Sequence, residues 1–233
     1  MKTIAMIPAR LGSKRIYNKN LRILNGKPLI SYIIESAIAA KCFDEIYINS
    51  ESDIFEEIAD TYQINFYKRP SELSADDKTN DHFTENFLNN VHCNVLIQLL
   101  PTSPFVTADE IRRFTDEMVN KQYDTLIATN DQQIESVYCS NPINFNSKEI
   151  TPPSQTLEPI KTYACSLMGW TKDNYLKNMH KYKAGYHGGD GKIGYFNLKG
   201  FSTIDIDNEE DFQLAEITAK HLKSKDSFPI HYY

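Results

Sequence analysis

Residues Ile4-Ala5-Met6-Ile7 form an apolar run that is too short for a helix and rich in Ile, and Pro8 ends it. A buried strand looks like this, and the loop after it constrains the rest of the chain. That loop carries Arg10, Lys14, Arg15 and Lys19 around Gly12 and Ser13. A loop after a buried parallel strand lies at the carboxyl edge of its sheet, where open α/β sheets bind ligands. Gly12 permits backbone shapes that aim N–H groups at an anion, and the cations supply charge. In a chain of net charge −6, this local reversal of sign points to a polyphosphate site. The alternative is a solvated basic loop. Two familiar phosphate loops are excluded. A Walker A loop needs a second glycine before Gly-Lys-Ser/Thr, whereas Gly12-Ser13-Lys14 has neither that order nor that spacing, and Gly-x-Gly-x-x-Gly is absent.

The pattern behind the loop sets the fold class. Pro28 is placed for a first helical turn, and Leu29, Ile30, Ile33, Ile34, Ala37 and Ile38 form one apolar helical face. Glu45 to Ser50 reads as a second strand. Ser52 then reads as the N-cap of a helix whose inner face is Ile54, Phe55, Ile58, Ala59 and Tyr62. Ile64 to Tyr67 is a short third strand. Residues 68–79, polar and broken by Pro70, predict a loop at the same sheet edge, followed by a helix with Phe83, Phe87, Leu88 and Val91 inward. Val95 to Leu100 is a fourth strand. Thr107 to Glu110 is a capping box for a helix with Ile111, Phe114 and Met118 inside, and Asp124 to Thr129 is a fifth strand. Such alternation predicts an α/β fold, a mostly parallel sheet flanked by helices.

Between about 131 and 195 the rhythm changes. Asn, Gln, Ser and Pro are frequent, short β-like runs appear at Val137 to Cys139 and Cys165 to Trp170, and no long helix is evident. This reads as a small β-rich insertion leaving the main sheet, of the kind that makes a partner interface. Gly185, Gly188, Gly189 and Gly191 cluster in one turn with no strand-to-helix context, which argues against a phosphate site there. Phe201 to Phe212 then runs from strand into helix, with Asn208 as its cap and Phe212, Ala215, Ala219 and Leu222 as its buried stripe. The tail from Lys223 to Tyr233 reads as peripheral.

At 233 residues the chain fits one domain, 1–233, with that insertion, and 41% hydrophobic residues suffice for a core. No run approaches ~18 apolar residues, so no membrane span is expected. Met1-Lys2-Thr3 leads straight into the first strand and Arg10 cuts the apolar run short, so no signal peptide fits. Cys42, Cys93, Cys139 and Cys165 are scattered without paired spacing. They read as reduced thiols of a cytoplasmic protein, not as a zinc site. A pI near 5.5 argues against general nucleic-acid binding.

A second constellation lies near the far end of the chain. In a strand, Asp205 and Asp207 point to one face and Ile204 and Ile206 to the other. Two such carboxylates suit Mg²⁺, which takes one or two carboxylates and completes its octahedron with water and substrate phosphates. Otherwise these acids are solvated or assist the following helix N-terminus, a role that suits Glu210 and Asp211. Attack on a nucleoside triphosphate must overcome the repulsion of its negative charge, and Mg²⁺ and cations offset that repulsion. The basic loop and the Asp pair together make a coherent nucleotidyltransferase.

The stretch Ile7-Pro-Ala-Arg10-x-Gly12-Ser13-Lys14-x-Ile16-x-x-Lys19-Asn20 resembles the signature loop of the acylneuraminate cytidylyltransferase family, the CMP-sialic acid synthetase-like enzymes. Arg69-Pro70-x-Glu72-Leu73, Pro101-Thr102-Ser103-Pro104 and Asp205-Ile-Asp207-x-Glu209-x-Asp211 extend the resemblance over roughly residues 3 to 220. It implies a Rossmann-like nucleotidyltransferase fold and a homodimer built through the insertion. It implies that Arg10, Ser13 and Lys14, with Lys19 nearby, hold the triphosphate of CTP. Asn20 and Arg69 would contact the cytidine, and Asp205 and Asp207 would carry Mg²⁺. The anomeric hydroxyl of an acidic, nonulosonic sugar would attack the α-phosphate and expel pyrophosphate. The proton of that hydroxyl would go to Asp207 or to a metal-bound hydroxide.

Two departures fall on the acceptor side. Family members commonly have Gln where this chain has Leu100, and Arg-x-Asn-Gly where an ungapped match places Thr162, Tyr163, Ala164 and Cys165. A lost arginine removes a bidentate partner for a carboxylate, and neighbouring Lys161 is a point charge, not an equivalent fork. Hence two alternatives stand beside the leading one: the same chemistry on another sugar acid or a phosphonate, or a nucleotide-binding dimer without catalysis.

Overall fold

The apolar run at the N-terminus lies where both of its faces are covered. A computed structural model describes residues 1–224, and in it Ile4 to Ile7 are fully buried in β1 (Thr3–Pro8). The basic loop comes next, and a two-residue ladder of β2 (Ile23–Leu24) and β3 (Lys27–Pro28) leads into α1 (Leu29–Ala40). Pro28 closes that ladder and stands at the N-cap, one residue before the first helical turn expected for it. Next come β4 (Glu45–Ser50), α2 (Ile54–Tyr62), β5 (Asn65–Lys68), α3 (Asn80–Asn90), β6 (Val95–Leu99) and α4 (Ala108–Asn120). The second half adds β7 (Thr125–Gln132), the hairpin β8 (Val137–Tyr138) and β9 (Asn141–Pro142), β10 (Ile160–Thr171), α5 (Lys172–Tyr182), β11 (Ile193–Asn197) and α6 (Glu209–Lys223).

Seven strands form one sheet in the order β11-β7-β10-β6-β1-β4-β5. All neighbours are parallel except β10, which runs antiparallel between β6 and β7. One face packs on α1, α2 and α4 through Ile30, Ile34, Phe55, Ile111 and Phe114. The other packs on α3 and α5 through Phe87, Leu88, Tyr175 and Met179. A third cluster joins α6 to the basic loop, with Phe212, Ala215 and Ala219 against Ile16, Leu24 and Leu29. Thr107 and Glu110 form the expected capping box at α4, as Asn208 and Asp211 do at α6. No helix among the described residues is long and apolar enough to cross a membrane.

Several expectations need correction. Asp53, not Ser52, precedes the first turn of α2, and no side chain caps it. The Ser52 and Asp53 carbonyls instead take the free N–H groups of that turn. Ile38, Ile54 and Leu222 stand at the solvent edge of their helices. Within the expected insertion, β10 is a central strand of the main sheet and α5 is an 11-residue helix. The sequence hides α5 because its inner face is half asparagine. Asn174 and Asn178 are buried and both donate to the Gly188 carbonyl, at 3.2 and 2.8 Å. The glycine turn therefore supplies the polar partner of this helix's inner face. Asp205 to Asp207 form no strand: a 3-10 turn, Gly200–Thr203, precedes them and no sheet partner holds them. Beyond Ser224, the tail expected to be peripheral lies outside the described residues.

Gly189 has φ +48 and lies against Asn178, so an added Cβ would collide with the Asn178 amide. Gly189→Ala should lower stability by about 1–3 kcal/mol, read by urea unfolding. The same substitution at Gly191 meets the Asn174 amide and should behave alike.

Candidate active site

The loop after β1 is folded over the sheet edge by backbone and side-chain bonds. Ala9 N–H donates to the Asn49 carbonyl at 3.0 Å, continuing the β1–β4 ladder by one residue. Leu11 N–H donates to Glu51 Oε1 at 2.9 Å. Gly12 has φ +77 with open space around it, so its backbone shape and not its size requires glycine. Asn20 is buried, and its amide reaches the Arg10 carbonyl at 3.5 Å.

The result is a cleft of about 240 Å³ at the carboxyl edge of the sheet. Arg10, Ser13, Lys14, Lys19, Asn20, Arg69 and Asp207 all line it, although they come from three distant segments. Leu100 and Thr102, at the end of β6, line it too. Gly12 shapes the loop without facing the cleft. Asp205 stands behind the wall: mostly buried, it leaves Oδ1 without a hydrogen-bond partner. Burial is the main reason the Asp205 carboxyl titrates above its usual range. The Thr102 hydroxyl opposes that rise, and the charge of Asp207 adds to it.

Asp207 is held differently. Arg15 Nη2 meets its Oδ1 at 2.8 Å and Lys19 Nζ at 3.5 Å. Lys19 also donates to the Ile206 carbonyl at 2.5 Å. Burial lowers the Lys19 pKa, while the charges of Asp207 and Asp205 oppose that shift. Among the described residues no three His, Cys, Asp or Glu side chains converge as a metal cluster. The donor set is thus two carboxylates, one with an orphaned oxygen, which fits Mg²⁺ better than a metal that needs an all-protein cage.

Sequence reasoning missed three groups here. Arg15 was visible as a cation, but its partner lay at the other end of the chain. Glu51 was not visible as a site residue, although it comes directly after β4 at the carboxyl edge where ligands bind. Its Oε2 takes Arg69 Nη2 at 2.9 Å and the Ser74 hydroxyl at 2.7 Å. Asp76, in the loop after a 3-10 turn at Ser71–Ser74, pairs with Arg10 and Lys14. Arg69 itself is buried, donates to the Ala9 carbonyl at 2.8 Å, and has its guanidinium 5.1 Å from the Phe83 ring centre.

On the acceptor side, Lys161 pairs with Asp131 at 2.6 Å and Thr162 donates to the Asn130 carbonyl. Neither lines the cleft. Cys165 has φ +55, and the β7–β10 register shifts between Tyr163 and Met168. That left-handed position is one a glycine adopts freely, in keeping with an ungapped match to the Arg-x-Asn-Gly segment.

A family model described as cytidylyltransferase matches residues 4–157, which hold the basic loop, Arg69 and the Pro101 to Pro104 segment. This chain belongs to the cytidylyltransferase family. It is 30% identical to an N-acylneuraminate cytidylyltransferase of Escherichia coli over 99% of this chain and 55% of that protein. It is 27% identical to a pseudaminic acid cytidylyltransferase of Campylobacter jejuni over 94% of this chain and 97% of that one. The chain spans about half the length of several of the curated N-acylneuraminate relatives it matches. A solved CMP:2-keto-3-deoxy-manno-octonic acid synthetase in complex with CTP superposes with a TM-score of 0.75 at 14% identity, covering 95% of this chain and all of the other. That likeness establishes the nucleotidyltransferase fold.

Glu51 is the frame of this cytidylyltransferase cleft. Burial pushes its carboxyl up, but the Ser74 hydroxyl, backbone N–H groups and the Arg69 charge outweigh burial and hold it below its usual 4.5. Its folded pKa is depressed, so its contribution to stability is present above pH 4.5 and is lost as pH falls through the folded value. Glu51→Ala leaves Arg69 as an uncompensated buried charge and should cost ~3 kcal/mol in urea unfolding at pH 7. Below the folded pKa the difference from the unmodified protein should shrink.

Proposed function

We propose that the chain joins CMP to a nonulosonic, sialic acid-like sugar, releasing pyrophosphate from CTP. One observation carries this reading: the cations of the loop after β1 and the Asp207 carboxylate meet in one cleft from opposite ends of the chain, with Asp205 just behind its wall. Arg10, Ser13 and Lys14 hold the triphosphate, and Lys19 lies beside it. Asn20 and Arg69 face the cytidine, Arg69 with its guanidinium already fixed by Glu51. Asp205 and Asp207 hold Mg²⁺, which when bound supplies charge compensation to the phosphates.

The chemistry rests on the placement of charge. The anomeric hydroxyl attacks the α-phosphorus, the bond to the β-phosphate oxygen breaks, and pyrophosphate takes the electron pair. Arg10 and Lys14 stabilise the charge that accumulates on that leaving group. Asp207 lines the cleft, which supports it as the group among the chain's own that receives the hydroxyl proton. The relatives' names span N-acylneuraminate, pseudaminic acid and N,N'-diacetyllegionaminic acid, all acidic acceptors. Leu100 in the cleft, and the engagement of Thr162 and Lys161 elsewhere, favour an acceptor that departs from N-acylneuraminate. A homodimer fits the exposed apolar hairpin at Val137 and Tyr138 with nearby Ile134 and Ile143, and a cytoplasmic setting fits the free cysteines.

Pyrophosphate release should appear with Mg²⁺ and CTP, not with the other nucleoside triphosphates, once the right sugar acid is supplied from a panel. Binding of CTP with silence across the whole panel would instead favour a nucleotide-binding dimer without catalysis. Asp207→Asn should lower release at least ~100-fold while leaving the fold intact by circular dichroism, in line with the loss of one charge-stabilising group. Full activity in that variant would remove Asp207 from the mechanism.

A further inference from the structure

The cations assigned to the triphosphate have a carboxylate partner within the chain. Arg10 Nη1 lies 3.5 Å from Asp76 Oδ1, and Lys14 Nζ pairs with Asp76 Oδ2. One carboxylate therefore bridges both side chains, an oxygen to each. Arg10 Nη1 also donates to the Ser74 carbonyl at 3.2 Å. The base of this loop is fixed: the Ser74 hydroxyl is bonded to Glu51 at 2.7 Å, and Arg69 Nε donates to Ser74 at 3.1 Å. Its tip is exposed, with the Asp76 side chain 58% exposed. A fixed base and an exposed tip hold a negative charge over the loop without committing it there.

We propose that Asp76 is a further residue of the reaction, exchanging with the substrate's phosphates on Arg10 and Lys14 and retaking both cations as pyrophosphate leaves. This rests on the reading of the cleft given under Proposed function. The exchange works because the two partners differ in charge. Exposed carboxylate pairs with Arg and Lys are weak and open readily to water. A pyrophosphate group carries several charged oxygens and makes stronger charge-assisted bonds to the same donors. Phosphates therefore win the contest when bound. The waiting carboxylate lowers their net affinity and shortens their stay. A loop with two uncompensated cations would hold its inorganic product longer and would bind other polyanions. Asp77, beside it, serves no such role: it pairs with Lys78 and touches neither loop cation.

The test is calorimetric titration of the full chain with inorganic pyrophosphate at low salt, comparing the unmodified protein with Asp76→Asn and Asp77→Asn. Both variants remove one exposed negative charge, so the second controls for bulk charge. Asp76→Asn should bind pyrophosphate about three- to tenfold more tightly, the size expected for releasing two exposed pairs. Asp77→Asn should change affinity less than twofold. Pyrophosphate inhibition of turnover should strengthen by the same factor, with the KM for the sugar acid unchanged. Equal affinity in Asp76→Asn and the unmodified protein, or weaker binding in Asp76→Asn, would overturn the proposal. Lys14→Ala separates the two readings. If it weakens pyrophosphate binding while Asp76→Asn has no effect, the cleft assignment survives and the exchange does not. If Lys14→Ala has no effect, or no protein binds pyrophosphate, the cleft assignment fails and the exchange falls with it.

Discussion

The ammonium group of Lys19 joins two segments that are 187 residues apart, donating to the Ile206 carbonyl while facing the Asp207 carboxylate. No sheet ladder holds residues 204–208, so this contact, the Ile206 N–H bond to the Thr102 carbonyl and the burial of Ile206 beside Ile16 fix them against the loop. The ammonium is largely withdrawn from water, and the nearby aspartates favour its charged form. The same bond that closes the fold thus brings Asp207 to the cleft, with Asp205 behind its wall. Replacing Lys19 with an apolar residue would loosen the site without opening the sheet.

Around that junction the cleft is built from paired charge. Glu51 takes Arg69, Asp207 takes Arg15 and Lys19, and Asp76 takes Arg10 and Lys14. These pairs differ in depth, and depth decides what each does. The Glu51–Arg69 pair is nearly enclosed, so breaking it strands a charge and weakens the fold. The Asp76 pairs are exposed, so they are weak and add little to the fold. An acidic chain thus carries a strongly basic loop whose cations have carboxylate partners within the fold.

The sequence announced the sheet through β1 and β6, apolar but for Thr3 and Gln98, because strands buried on both faces carry little polar alternation to confuse their reading. It concealed α5, whose buried asparagines resemble loop residues until their carbonyl partner at Gly188 is known. It also suggested a strand at Asp205 to Asp207, since alternation of Asp and Ile looks the same whether or not a partner strand exists. Both misreadings share a cause: hydrogen-bond partners distant in the chain do not register in local pattern.

The basic loop, its glycine, the capping box at Thr107, the cap at Asn208 and the motif that marks the family were all legible from the chain alone, because each is a short-range arrangement of neighbouring residues. Tertiary structure alone decided that Asp205 lies behind the wall with an unpartnered oxygen while Asp207 faces the cleft. It alone enlisted Glu51 as the frame and Asp76 as the bridge between two cations. Charge type is written in the sequence, but burial and pairing distance set the strength of a charge, and only the folded chain supplies them.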